Sequence, residues 1–361
     1  MKFRSGEIDG LDNVKPENYG WYEQNQQQGN FTLHDLGPEL NMRNIFQMAY
    51  GETYSPRNML FDDVAIAIDE LQMMRDVGGQ TVVELTCGGI RPDPKGLAQV
   101  SEGTSVNIVM GCGYYVEEYQ DPANKTRSVD DFAAEIAAQV LEGAWGTSVR
   151  SGIIGEIGTT TPWGDLERTV LKGAILAQQE TGACLNIHPG RHEDLPQEIA
   201  EFVIANGGNP ARTVISHIDR TIFDETRLLR LADTGVTIEF DLFGQESSYY
   251  GLSDIDMPND ATRLRLIRAL IAHGHLDRVV ISHDICYRTR LTSFGGHGYG
   301  HIFRNVVPLM RERAPAHTHE FELKHKAIVD RFGRYPHRNA LLGRVSTVEE
   351  LAFLQEPGSS F

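Results

Sequence analysis

The sequence has no apolar run approaching the roughly 18 residues that a membrane-spanning helix needs. Its opening stretch, MKFRSGEIDGLDNVKPENYG, lacks the apolar h-region of a secretory leader. A cytoplasmic protein with no membrane partner is the expectation. Basic residues are in deficit as well: 33 Lys and Arg stand against 50 Asp and Glu, a formal charge of −17, and no basic block occurs. A phosphate backbone is repelled by such a field, which argues against nucleic acid as a partner; the charge reads as solubility. Cysteine is scarce. Cys87, Cys112, Cys184 and Cys286 show no CxxC spacing, and each sits in or just after an apolar, strand-like run. Buried reduced thiols are expected, not a finger-type zinc site. No glycine-rich phosphate fingerprint follows the first strong strand, so the main sign of a doubly wound nucleotide-binding sheet is missing.

What the chain does have, from about residue 60 to 314, is alternation. Seven short β-branched or apolar runs recur: TVVELT (Thr81–Thr86), VNIVMGC (Val106–Cys112), GIIGEI (Gly152–Ile157), ACLNIH (Ala183–His188), TVISH (Thr213–His217), TIEFDL (Thr237–Leu242) and VVISHD (Val279–Asp284). Amphipathic segments of helical period lie between them, among them DDFAAEIAAQVLEG, DLERTVLKGAILAQQETG, LPQEIAEFVIANGG and TRLRLIRALIAHG, with Asp or Thr often before them and Gly after. Strands that read as continuous apolar runs are covered on both faces, which implies a parallel sheet. Seven of them with intervening helices predict an α/β (β/α)8 barrel with a degraded or incomplete first strand, since a barrel of this class runs past about 250 residues as one domain. The eighth strand should precede FDDVAIAIDELQMMRDVGG (Phe61–Gly79), and the candidate is Phe31–Leu33, followed by His34 and Asp35. Residues 1–30, rich in Asn, Gln and Gly, are expected to be poorly ordered. The barrel is assigned to 31–314. Residues 315–361 hold helical pieces, HEFELKHKAIVDRF and TVEELAFLQ, and no strand pattern, and are read as an appended helical tail.

Polar residues cluster where the apolar runs end. Glu156 closes GIIGEI, His188 closes ACLNIH, His217 closes TVISH and Asp284 closes VVISHD. In a β/α barrel the strand C-termini converge on one face, where active sites sit. Each of these residues alone has a bland reading: a hydrogen-bonded core histidine, or a carboxylate capping a helix. Four at the same end of neighbouring strands point to a divalent metal, because unpaired carboxylates are expensive to bury together unless a cation offsets them. Zinc, manganese and iron all suit the set, zinc first, with one or two ions.

GIIGEIG (Gly152–Gly158), IHPGR (Ile187–Arg191), SHIDRT (Ser216–Thr221), EFDLFG (Glu239–Gly244), DIDMPND (Asp254–Asp260), and SHDICYRTRL with GGHGYGHIFRNVV further on resemble the phosphotriesterase-related proteins of the amidohydrolase superfamily, over residues 40 to 314. The resemblance implies a binuclear site in which a carboxylate on the family's fourth strand bridges two metals. Glu156 stands where most phosphotriesterases carry a carboxylated lysine. His188 and His217 would complete one metal's ligands; Asp284 would bind the other and shuttle protons, with a bridging hydroxide as nucleophile. The family also places a His-x-His pair at the end of strand one. In the matching FTLHDLGPEL (Phe31–Leu40) only His34 is present, followed by Asp35 and Leu36. Three explanations stay open: an incomplete reading frame, a one-metal enzyme, or a catalytically dead protein. The tail sequence RFGRYPHRNALLGRVSTVEELAFL resembles the end of an uncharacterised bacterial helical family, and its His325 and His337 are not assigned as ligands.

Around the expected barrel mouth, Arg191 could fork onto an anionic substrate group or form a surface ion pair. His297 and Tyr299, in the Gly-rich GGHGYG loop, either meet substrate or belong to a flexible connector. Asp219 and Arg220 are expected to orient His217 from behind, and Trp163 to wall the pocket or pack at its rim. Two function classes follow. The first is a metal-dependent hydrolase of a small ester or amide: the family name suggests phosphate or lactone esters, while the related-protein branch is associated with N-acyl amides, N-acetyltaurine in animals. The second is a ligand-binding barrel that has lost its second metal site. The expected partner is a small-molecule substrate, with a homodimer as the expected assembly.

Overall fold

The computed structural model describes residues 39–50, 55–248, 250, 253–313, 326–340, 343–356 and 359. The segment 1–30 and the first-strand candidate Phe31–Leu33, with His34 and Asp35, lie outside them. All seven apolar runs form strands: β1 (Thr81–Glu84), β2 (Asn107–Met110), β3 (Ile153–Gly158), β4 (Cys184–His188), β5 (Thr213–Ile215), β6 (Thr237–Phe240) and β7 (Val279–Ile281). Every ladder is parallel, β1 with β2 and then β3 through β7 in sequence order. The two sheets are joined where Gly152 N donates to Met110 O (2.9 Å) and Gly155 N to Cys112 O (2.7 Å). The strands thus follow one another around an α/β barrel in chain order. Helices Val64–Arg75, Pro94–Thr104, Val129–Leu141, Asp165–Thr181, Leu195–Ala205, Glu225–Asp233 and Asp260–Ala272 alternate with them.

The caps are those the sequence offers. Asp63 accepts from the amides of Ala65 and Ile66, Asp224 from Arg227, and Asn259 from Thr262, each satisfying amides that a helix start leaves orphaned. Ser128 and Asp131 close a capping box. Gly173 lets two neighbouring helices touch: a Cβ there would collide with Phe132 and the backbone of Ala133. Glu167, buried in the first turn of helix Asp165–Thr181, accepts from Glu117 N (3.2 Å), Thr160 N (2.9 Å), Thr160 Oγ1 (3.0 Å) and Gly164 N (3.3 Å). One carboxylate thereby ties the loop after β2 to the loop after β3.

Burial is uneven around the sheet. Isoleucine and leucine fill β3 and β4, whose residues are nearly all buried. At the ends of the series Val83 of β1 is 51% exposed and Val280 of β7 is 41% exposed. Among the described residues no strand stands between β1 and β7. A cavity of about 90 Å³ lies beside β1, lined by Leu71, Val82, Val100, Leu291 and Tyr299.

The chain divides into two compact units, 1–306 and 307–361. The described part of the second is helical: Val307–Arg313, residues 326–332 and Val348–Phe353. Phe332 and Phe353 pack ring to ring at 5.0 Å, and the buried Glu350 is held by Arg334 Nε (2.6 Å) and Thr347 N (2.7 Å). No helix among the described residues is long and apolar enough to cross a membrane.

Candidate active site

The site is assembled from strand ends and from the bends that follow them. Glu156 sits in a bulge of β3, where the register against β4 shifts between Ile154 and Ile157; a bulge re-aims a side chain at the end of a strand. Its neighbour Gly155 has φ +131°, and a Cβ there would collide with Asn186 of β4, so glycine is required. His188 is the last residue of β4. His217 lies two residues beyond β5 in a left-handed turn, φ +56°, and Asp284 three beyond β7 at φ +44°. Non-glycine residues rarely adopt this conformation, and where they do it turns a side chain sharply off the strand line.

Glu156, His188 and His217 converge. His217 Nε2 lies 2.9 Å from Glu156 Oε1 and 2.8 Å from His188 Nδ1, and His188 Nδ1 is 3.3 Å from Glu156 Oε2. One donor atom from each falls within 4.8 Å of the other two. His217 Nδ1 meets Asp241 Oδ2 at 2.9 Å, and its backbone amide donates to the same carboxylate at 3.0 Å. A carboxylate can only accept, so Nδ1 carries a proton toward Asp241, and that contact leaves Nε2 as the nitrogen turned to the centre. Burial disfavours a charged Glu156, yet the two imidazoles outweigh it and hold the carboxyl far below the usual range. Burial pushes His188 down to about 3, although Glu156 opposes the shift. For His217 burial works the same way and Asp241 outweighs it, so that ring is pulled up. Behind them Glu239 accepts from Ser216 Oγ (2.7 Å) and Asn186 Nδ2 (3.1 Å); burial, with Asp241 beside it, raises its carboxyl to about 8.

Asp284 is outside the three-residue group. Arg290 Nη1 lies 3.3 Å from its Oδ2 and also donates to its backbone carbonyl. Burial raises the Asp284 carboxyl against the pull of Arg290, and the charges of His217, Asp241 and Glu156 all reach it. Arg191 Nε donates to the hydroxyl of Tyr250 at 2.9 Å. His297 stacks on His283 (5.6 Å), while the Tyr299 ring packs with Leu71, Met74, Val100 and Val106. Trp163 is buried and packs against Phe202 at 5.0 Å, with Arg168 3.9 Å above its ring.

Two expectations need correction. His217 is oriented by Asp241, the residue after β6, and not by its sequence neighbours. The turn at Ile218–Arg220 carries Asp219 to Arg263 Nε (2.6 Å) and Leu242 N (3.0 Å), and brings Arg220 to His188. Of the four free thiols, Cys87 and Cys112 are buried as expected, Cys184 is half-buried, and Cys286, beyond the end of β7, is exposed.

Three site residues escaped the sequence reading. Asp241 is next to last in the TIEFDL run, as Glu156 is in GIIGEI, so the strand-end rule that found Glu156 could have found it. Tyr115, whose ring meets His188 edge-on at 4.9 Å, and Arg290 sit in loops with no local signal.

The model of the Phosphotriesterase family matches residues 25–321, and that of a bacterial protein of unknown function (DUF924) matches residues 298–358. N-acetyltaurine hydrolase of Xenopus tropicalis is 40% identical over 274 residues, 75% of this chain and 78% of the relative. Among solved structures, a resiniferatoxin-binding protein from Rhodobacter sphaeroides superposes with TM-score 0.75 at 30% identity, covering 86% of each chain. The phosphotriesterase homology protein from Escherichia coli, solved with phosphate in its active site, gives TM-score 0.66 at 26% identity over 77% of this chain and 90% of that one.

Proposed function

The chain belongs to the Phosphotriesterase family, a family of hydrolases, and from that premise we propose that it cleaves a small N-acyl amide at a metal held by Glu156, His188 and His217, with Asp284 as the proton acceptor. The observation that carries this reading is the convergence of one carboxylate oxygen and two imidazole nitrogens within 4.8 Å of one another. The donor set fits a divalent ion: His217 Nε2 is turned inward by the hold of Asp241 on Nδ1, and a buried carboxylate needs a cation to offset its charge. Zinc suits it best, since three protein ligands and one open position are usual for a catalytic zinc. When bound, the metal would lower the pKa of water and polarise the substrate carbonyl.

The chain's own residues supply the rest. Asp241 fixes the His217 ring. Asp284, whose carboxyl burial makes more basic, accepts the proton of the attacking water and hands it to the departing amine. Arg290 holds Asp284 in place for both transfers. The choice of amide over lactone or phosphoester is supported by the relative at 40% identity, whose name gives N-acetyltaurine as its substrate. The net charge of −17 supports a small molecule, not nucleic acid, as the partner. A barrel over 31–314 with an appended helical segment is supported by the two family models, which overlap only near residues 298–321.

The test is metal analysis of the purified protein, then turnover of N-acetyltaurine, lactones and aryl phosphotriesters. About one zinc per chain with amide cleavage is expected. A zinc-loaded protein that cleaves only esters would overturn the amide assignment and leave the metal site standing. Failure to hold any divalent metal would overturn the whole proposal.

A further inference from the structure

Two arginines of the barrel are almost wholly buried, Arg263 at 0% exposure and Arg220 at 3%. A buried guanidinium is costly unless anions and acceptors meet it. Arg263 is fully met: Nε donates to Asp219 Oδ2 (2.6 Å), Nη1 to Asp260 Oδ1 (3.1 Å) and Nη2 to Gln245 O (2.8 Å). Arg220 differs. Among the described residues it has no carboxylate partner, and its Nη1 has no hydrogen-bond partner at all. Its Nη2 lies 3.3 Å from Pro189 O and 3.3 Å from His188 Nε2.

The contact with His188 is not a stable substitute for an anion. His188 turns Nδ1 toward Glu156 and His217. When that nitrogen gives its lone pair to the centre, the neutral ring carries its proton on Nε2. Arg220 Nη2 and His188 Nε2 then face each other as two donors; Pro189 O can accept from the first and the Tyr115 hydroxyl oxygen from the second, but Nη1 has no acceptor. The hydroxyl of Tyr115 lies 3.4 Å from Nε2 and 3.4 Å from Nδ1 of the same ring, and the charges of Arg191 and Arg220 both reach Tyr115. A cation without an anion, an imidazole N–H and a phenol hydroxyl thus border one place beside a candidate metal ligand.

We propose that Arg220 is the anion-binding residue of the substrate site. It would take a sulfonate or carboxylate carried on the amine half of an N-acyl substrate, with His188 Nε2–H and the Tyr115 hydroxyl as flanking donors. Arg191, the arginine expected in this role from the sequence, is engaged with Tyr250. The inference rests on the amide-hydrolase reading for its substrate class; the demand for an anion rests on Arg220 alone.

The test compares zinc-loaded full-length protein with Arg220→Met and Arg220→Lys on three substrates: N-acetyltaurine, N-acetyl-β-alanine and the uncharged N-ethylacetamide. In Arg220→Met the ratio of kcat/KM for each charged substrate to that for the neutral one should fall roughly 10- to 100-fold, mostly through KM, the scale of a lost charge-assisted hydrogen bond. Arg220→Lys should retain part of it. The two charged substrates separate a sulfonate site from a carboxylate site by which ratio falls further. An equal fall on all three, with the ratio unchanged, would overturn the proposal and leave Arg220 as a prop for His188. Calorimetry with methanesulfonate gives a readout independent of turnover. Binding to the unmodified protein that weakens several-fold in Arg220→Lys supports the subsite even if no amide is cleaved, and no binding to the unmodified protein overturns it even if Arg220→Met does not fold.

Discussion

The two sides of the candidate site are built differently. On the side of β3 to β6 the sheet is continuous, and the residues that face inward are held from behind. Glu156 is set by a bulge, His217 by two contacts with Asp241, and Glu239 by Ser216 and Asn186. On the side of β7 and β1, Asp284 hangs from a left-handed residue and is steadied by Arg290, while Glu84 of β1 accepts from Thr86 through Oε1 and leaves Oε2 without a partner. The three proposed ligands therefore lie where neighbouring strands brace one another. A residue that has only to reach a proton can lie on the looser side.

The sharpest way to break this comparison is to remove a ligand from the braced side. His217→Ala should bring zinc occupancy close to zero, read by atomic absorption on the purified variant; full occupancy would show that the ion is held elsewhere. On the other side, Asp284→Asn should keep both fold and metal and lose kcat by about 100-fold or more, the usual range of general acid–base help. An active preparation with undiminished kcat would remove Asp284 from the mechanism. Weakening the brace, not the ligand, should have a middling effect. Asp241→Asn should lower metal affinity by about 10- to 100-fold in chelator competition, as is usual for the partner of a metal-bound histidine.

The smallest effect is one of stability. The Glu239 carboxyl is raised from its ordinary 4.5 to about 8 by burial. The unfolded chain ionises this group first, so as pH rises from about 5 to 8 the folded state pays an increasing cost. Glu239→Gln should be free of that cost, and the Tm of the variant relative to the parent should climb across this range by roughly 2 °C or more. A gap independent of pH would mean that the group is ionised in the folded protein.

The strand cores were legible because β-branched and aliphatic runs have few other places to go in a barrel of this kind, and all seven expected runs form strands. Strand ends were less so. His217 and Asp284 read as closing their apolar runs, whereas both lie past the last ladder pairs, in turns that no periodicity reveals. The error over Asp219 has the same root. Nearness in sequence suggested that it would orient His217, but the chain turns at the left-handed His217 and the partner is Asp241, the residue after β6. Tyr299 was read from the glycines around it, whereas its ring packs with the core beside helix Val64–Arg75. Arg220 was legible as a polar residue near the site and not as an unpaired one, since charge pairing across strands is a property of the folded chain.

Glu167 carries a consequence for how this protein can change. It grips Glu117 in the loop that bears Tyr115 and Thr160 in the loop that leads to Trp163. Two stretches some forty residues apart in sequence thus share one anchor, so an insertion that moves either one drags on the other. Divergence toward new substrates is expected to revise both loops together or to replace Glu167 first. An engineer transplanting one of these loops from a relative would have to carry its counterpart, and the carboxylate between them, as a single heritable block.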